Sequence, residues 1–267
     1  FKSGEAGNFL KLYAVLEDCS YRQAYEKFVF EDFMNKGTFE NTREFKEFDP
    51  EKVSSNLEEA DTFEPIETAS VNSEICQHVI ESRMLDGFKF YVSTSEKYKN
   101  RLIIPFINRN KKLFYFQARA IDDSQKPKYL NCESLKSSQV LYPFDYGSYE
   151  PLYITEGVFD CLSLQQIGLN STTTLSCFTS REQMLQLSQY QGPLVCAFDN
   201  DMAGLDGRLK FMELAYWVNR DDLFSVVPPS HLKDWNEVLV KMGPDYLIKA
   251  CKDTDKLNPM YIEYLKL

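Results

Sequence analysis

The spacing of apolar positions changes several times along this chain, and each change predicts a different kind of element. From about Asn8 to Phe33, residues such as Phe9, Tyr13, Leu16, Tyr21, Ala24, Tyr25 and Phe28 recur at helical spacing. That pattern predicts two short amphipathic helices with a break near Asp18 to Ser20. Between Gly37 and Ser70 the pattern lapses, and ten Asp or Glu stand against three Lys or Arg, which reads as a linker and a domain boundary. Residues 71–90 predict a helix followed by a turn at Asp86 and Gly87. The runs RLIIPFI (101–107) and KLFYFQARAI (112–121), joined by the polar Asn108-Arg109-Asn110, are rich in β-branched and aromatic residues and predict a β-hairpin.

After Pro151 the chain alternates short apolar runs with helical patterns. Strands are expected at 152–155, 172–175, 194–198 and 224–227, with helices near 158–167, 181–189 and 205–218. Strands alternating with helices of this length imply a parallel sheet covered on both faces. Two local signals agree: Gly168 can close the first helix, and Ser180 with Gln183 forms a capping-box pattern for the second.

With 43% hydrophobic and 14% aromatic residues the chain can bury a substantial core, which excludes a disordered protein. No apolar run approaches the roughly eighteen residues that cross a bilayer, and the opening FKSGEAGNFLKLYAV is not a signal peptide. A cytoplasmic location without membrane attachment is the expectation. The seven cysteines are scattered without a C-x-x-C pair, so neither a zinc knuckle nor a disulfide framework is encoded, and most are expected to be buried. The first residue, Phe1, suggests an internal fragment of a longer protein.

The net charge of −10 argues at first against a nucleic-acid binder. Its distribution changes that. From Glu96 to Lys136 ten cations face four anions, a segment of +6 in a remainder of −16. Such a segment could focus a polyanion at one place, although taken alone it also fits an ordinary solvated surface.

The acidic residues carry the candidate chemistry. Ligands of open parallel α/β sheets gather beyond the carboxyl ends of the strands. Glu156 follows the strand LYIT and precedes Gly157, which permits close backbone approach. Asp199 and Asp201 follow LVCAF, with Ala203-Gly204 after them. A D-x-D pair on an extended segment points two carboxylates to one side. Three converging carboxylates repel one another unless a cation neutralises them, and a hard divalent ion such as magnesium suits oxygen ligands and substrate phosphates. The bland alternative makes each acid a helix N-cap, a reading that weighs most for Asp160 and Asp206.

Together, Y-I-T-E-G-V-F-D and A-F-D-N-D-M-A-G resemble the TOPRIM domain of bacterial-type primases, topoisomerases and some nucleases. The resemblance implies that Glu156 serves acid/base or metal chemistry and that Asp199 and Asp201 hold Mg2+ or Mn2+. The block 101–131, ending in PKYLN, is similar to the segment preceding TOPRIM in bacterial and phage replicative primases. By position it makes Arg101, Arg119 and Lys128 the cations that contact template and nucleotide, with Lys136 one residue out of register. HLKDWNEVLVKMG (231–243) resembles a primase stretch reading Lys-Asp-Pro-Asp, which adds Asp234 as a metal ligand and puts Asn236 where a second aspartate is usual. Asp160 and Asn236 are thus possible additional site residues.

What this implies is an α/β fold: a TOPRIM parallel-sheet, Rossmann-like domain preceded by a mixed α+β basic subdomain and a small helical N-terminal segment. The implied domains are a helical tail of a truncated zinc ribbon (1–36), the acidic linker (37–70), the basic subdomain (71–150), TOPRIM (151–243) and a C-terminal helical tail (244–267). Zn2+ would belong only to a segment upstream of residue 1. The implied activity is a DNA primase core making short RNA primers during DNA replication. Its partners would be single-stranded DNA, ribonucleoside triphosphates and a replicative helicase, and small departures from the usual pattern lean to a phage. The alternatives are a TOPRIM nuclease or topoisomerase fragment, a recombination mediator, and the primase half of a primase–helicase. No G-x-x-x-x-G-K-[ST] phosphate loop lies in these residues.

Overall fold

The computed structural model describes residues 57–69, 72–122 and 124–257, all within one of the chain's two structural units, Lys46–Leu265. The helices expected from Asn8 to Phe33 lie outside the described residues. The described residues are built on two five-stranded sheets.

The first sheet is antiparallel, in the order β1 (Phe63–Pro65), β2 (Tyr91–Ser93), β3 (Arg101–Ile107), β4 (Leu113–Ala120) and β5 (Tyr129–Asn131). The predicted hairpin forms its centre, with Arg101 opposite Ala120 and Ile103 opposite Ala118. Both central strands are buried on both faces, which is why their sequences read as continuous apolar runs instead of alternating ones. Helix α1 (Ser73–Glu81) packs Cys76 and Ile80 into the same core. The acidic stretch expected to be a linker contributes structure in its described part: a 3-10 helix at Glu58–Thr62, then β1, which pairs with β2. Its apolar positions Leu57, Phe63 and Ile66 reach the core, so a few anchors suffice despite the charge.

The second sheet has the order β10 (Asp255–Lys256), β9 (Leu223–Ser225), β8 (Leu194–Cys196), β6 (Leu152–Thr155), β7 (Ser171–Thr173). The pairs β6·β7, β6·β8 and β8·β9 are parallel, as the alternating pattern predicts, and β10 adds an antiparallel edge. Side chains alternate between faces. Leu152, Ile154, Leu194 and Cys196 pack towards α3 (Arg181–Ser188) and α4 (Met202–Trp217), while Tyr153, Val195 and Ala197 pack towards α5 (Trp235–Met242) and α6 (Pro244–Lys252). The expected capping box is present: Ser180 Oγ accepts from the N–H of Gln183, and the Gln183 side chain accepts from the N–H of Ser180. Residues 244–257, expected as a helical tail, form α6 and then the edge strand β10, so they complete this sheet instead of trailing from it.

Helix α2 (Val158–Gln166) joins the two halves. Val158, Phe159 and Leu162 lie in the core of the antiparallel sheet, whereas Leu164 packs with Trp235, Val238 and Leu239 on the parallel one. A helix buried on nearly every side has no polar face, which explains the near-continuous apolar run VFDCLSL.

Candidate metal and phosphate site

The chain runs from β6 to β7 on one side and then crosses to β8 on the other side of β6. This reversal opens a crevice beyond the carboxyl ends of β6 and β8. Glu156 leaves β6 there, and Asp199 follows β8. The Glu156 Oε1 accepts a hydrogen bond from the Asp199 backbone N–H at 3.0 Å. Asp201 starts α4, its carboxylate accepting from the Gly204 N–H at 2.8 Å. Asp234 starts α5 in the same way, accepting from the Glu237 N–H at 2.7 Å. Trp235, next to it and fully buried, donates its indole N–H to the Ala197 carbonyl at 2.8 Å and so moors the head of α5 to the end of β8.

Gly204 is required by this packing. A Cβ there would fall 2.1 Å from the Asp199 carbonyl oxygen and 3.0 Å from Glu156 Oε1. Its absence lets the first turn of α4 close against both acids.

The carboxylates feel one another. Burial, then Asp199, pushes Glu156 up to about 7. Burial, then Asp234 and Asp201, pushes Asp199 up to about 6. Asp160, on α2 and only 8% exposed, is also pushed up by burial, then by Asp234 and Asp199. Three cations oppose this: Arg83 lowers Asp160, and two others act on the acids at the strand ends. Arg208, buried on α4, donates to the Asp199 carbonyl at 3.1 Å and lowers both Glu156 and Asp199, and Lys233 lowers Asp199. Among the described residues no three His, Cys, Asp or Glu side chains are gathered tightly enough to hold a metal ion by themselves. The donor set nevertheless fits a hard cation of the magnesium type, which binds through one or two carboxylates and fills its remaining positions with water and substrate oxygens.

A cationic group adjoins the acids. Arg119 on β4 lies 5.0 Å from the centre of the Tyr129 ring and 5.5 Å from that of Phe159, and it donates to the Tyr129 hydroxyl at 3.0 Å. Arg83 covers the Phe159 ring at 4.2 Å. Lys128 is lowered by burial and by the like charges of Arg119, Lys233 and Arg83. Lys128 thus stands among three like charges, a repulsion that a bound anion such as a phosphate would relieve.

The other expected residues sit elsewhere or are otherwise engaged. Arg101 is 3% exposed and donates to the Ala118 carbonyl at 3.2 Å within its own sheet. Lys136 is exposed at the start of a short 3-10 helix, Ser137–Gln139. The Asn236 side chain is occupied by Arg83 and Ser163, and its N–H donates to Asp160 at 3.0 Å. Sequence reasoning missed Arg83, Arg208 and Lys233. Lys233, directly before Asp234 in the same motif, carried a usable signal; Arg83 and Arg208 carried none. All six described cysteines are free, five of them buried.

Residues 153–239 match a family described as Toprim-like. The DNA primase of Thermotoga maritima is 31% identical over 170 residues, covering 60% of this chain and 29% of that protein. That of Clostridium acetobutylicum is 28% identical over 166 residues, covering 59% of this chain and 27% of that protein. The chain therefore spans less than a third of the length of these curated relatives. Among solved structures, the Aquifex aeolicus primase (zinc-binding and RNA polymerase domains) aligns with a TM-score of 0.63 at 19% identity, covering 93% of this chain and 71% of that one. A primase catalytic domain bound to ssDNA aligns with a TM-score of 0.55 at 19% identity, covering 74% and 63%. The fold is that of a primase catalytic core. No helix among the described residues is long and apolar enough to cross a membrane.

Proposed function

We propose that this chain, a relative of the bacterial TOPRIM-containing primases, is the RNA-polymerising core of a DNA primase that joins ribonucleotides on a single-stranded DNA template. The observation that carries the reading is the adjacency of two opposed clusters. Glu156, Asp199, Asp201 and Asp234 collect negative charge, while Arg83, Arg119, Lys128 and Lys233 collect positive charge beside it. Lys233 acts on both, lowering Asp199 on one side and Lys128 on the other.

In this reading Asp199, Asp201 and Asp234, with Glu156, would hold Mg2+ or Mn2+. The ion, when bound, supplies the positive charge that offsets the charge developing on a phosphate during nucleotidyl transfer. Arg119, Lys128 and Lys233 of the neighbouring cluster would bind and orient the triphosphate of the incoming ribonucleotide. Lys128 and Arg119 suit that task, Arg119 being held in place by Tyr129 and Phe159. Glu156, pushed up to about 7, is suited to hold and release a proton near neutral pH. Asp201 and Asp234 also cap their helices, so the same carboxylates fix the geometry that they use. Lys136 would contact template outside the cluster, whereas Arg101, buried and hydrogen-bonded to Ala118, would brace the sheet that carries Arg119. Asp160 and Asn236, joined by the Asn236 N–H, would support the metal side.

The template would be held with modest, salt-sensitive affinity, as befits an enzyme that works on many sequences. A replicative helicase is the expected partner, and the cytoplasm of a bacterium or of a phage's host the expected place of work. The test supplies purified protein with labelled ribonucleoside triphosphates, single-stranded DNA and Mg2+ or Mn2+. Short RNA products support the reading. Cleaved DNA without RNA would replace it with a TOPRIM nuclease.

A further inference from the structure

The side chain of Asn236 and both ends of Arg83 form a closed pair. The Arg83 guanidinium donates to the Asn236 amide oxygen at 2.8 Å, and the Asn236 amide nitrogen donates back to the Arg83 carbonyl at 2.9 Å. The same nitrogen reaches Ser163 Oγ on α2 at 2.9 Å. Arg83 follows α1 of the antiparallel half, and Asn236 lies in the first turn of α5 in the parallel half, 4% exposed. The pairing needs an amide, because Asn236 uses its oxygen as acceptor and its nitrogen as donor at once. A carboxylate could meet the guanidinium but would face the Arg83 carbonyl and present no donor to it.

We propose that Arg83 is a positioning residue, whose grip on Asn236 sets the head of α5, and with it Asp234, against the acidic site. The inference rests on the reading of Asp234 as part of a divalent-metal site. Asn236 then serves as a clasp between the two halves of the core and is not itself a metal ligand. Arg83 is held in turn by Phe159, whose ring it covers, so three elements meet at this one contact.

The effect of charge on cation binding makes the proposal testable. If Arg83 acts on a nearby divalent ion only through its charge, Arg83→Met should tighten Mn2+ binding and Arg83→Lys should leave it unchanged. The clasp requires both to weaken it, by roughly threefold or more, and requires that neither weaken it further once Asn236→Ala is present. Mn2+ affinity, measured by electron paramagnetic resonance on wild type, the two Arg83 variants, Asn236→Ala and the double variants, reads all of this without any activity. In a priming assay Arg83→Lys should lower kcat more than it raises the nucleotide KM. Unchanged or tighter Mn2+ binding in Arg83→Lys, or additive losses in the double variants, would overturn the clasp. Wild-type protein that binds no Mn2+ would instead overturn the metal-site reading beneath it. Tighter Mn2+ binding in Asn236→Asp would return Asn236 to the ligand role.

Discussion

The Glu156 carboxylate accepts a hydrogen bond from the backbone N–H of Asp199 at 3.0 Å, joining the ends of two adjacent parallel strands across 43 positions of sequence. The contact fixes one acid relative to the next and partly offsets the cost of burying Glu156, since that hydrogen bond lowers a carboxyl that burial raises. The acids are therefore coupled through backbone as well as through charge.

That coupling predicts a pH dependence in metal-free protein. Glu156 rises from 4.5 to about 7 and Asp199 from 3.8 to about 6 on folding. Between these values the folded state binds more protons than the unfolded one, so stability is complete below the lower values and is lost as pH rises through the higher ones. Both groups are partly open to solvent, which limits the effect to about 1 kcal/mol or less. Urea midpoints without metal should fall between pH 5 and pH 8. Mn2+ should raise the midpoint at pH 8 more than at pH 5, because protons and the ion compete for the same oxygens. A midpoint that climbs with pH in metal-free buffer would contradict the burial of these acids.

Asp201 has two duties that a pair of substitutions separates. Asp201→Ala should abolish primer synthesis and, by removing the cap on α4, cost about 1 kcal/mol of stability. Asp201→Asn keeps an equally good cap and should leave the urea midpoint near wild type while still abolishing synthesis. Normal product yield from either variant would reduce Asp201 to a helix cap.

Lys128 is crowded by three like charges and attracted by Asp234 less strongly, so its loss relieves more repulsion than it removes attraction. Lys128→Ala should leave the unfolding midpoint unchanged or slightly raised. The nucleotide KM or the template affinity should worsen by roughly tenfold, in line with one charge-assisted phosphate contact. A clear drop in stability with normal KM would assign Lys128 a structural role.

Gly204→Ala should be damaging although alanine favours helices. The added Cβ would meet the Asp199 carbonyl at 2.1 Å, so the head of α4 must move away from both acids. Overpacking of this kind costs about 1–3 kcal/mol, and Mn2+ affinity should fall with it. Calorimetry and Mn2+ titration of one sample check both parts, and unchanged affinity would show that the turn has slack.

Much of the architecture was determined by local sequence. The β-hairpin at 101–120, the alternating strands and helices after Pro151 and the Ser180 capping box come from short-range periodicity and turn chemistry, which act between residues only a few positions apart. The placement of Glu156, Asp199 and Asp201 at strand ends was legible for the same reason, because a strand end is a local event. Only the tertiary structure decided what required distant segments to meet. Residues 63–65 became an edge strand because β2 lay open beside them, and 255–256 did so beside β9. Arg83 and Lys233 joined the site because α2 reaches the cores of both sheets and α5 packs against it, which brings positions as far apart as 83 and 236 into hydrogen-bonding contact. Asn236 stands in the motif like a ligand, yet its amide is taken up by Arg83 and Ser163. Which partners a buried polar group finds depends on the packing of whole elements, and no spacing along one strand or helix encodes that.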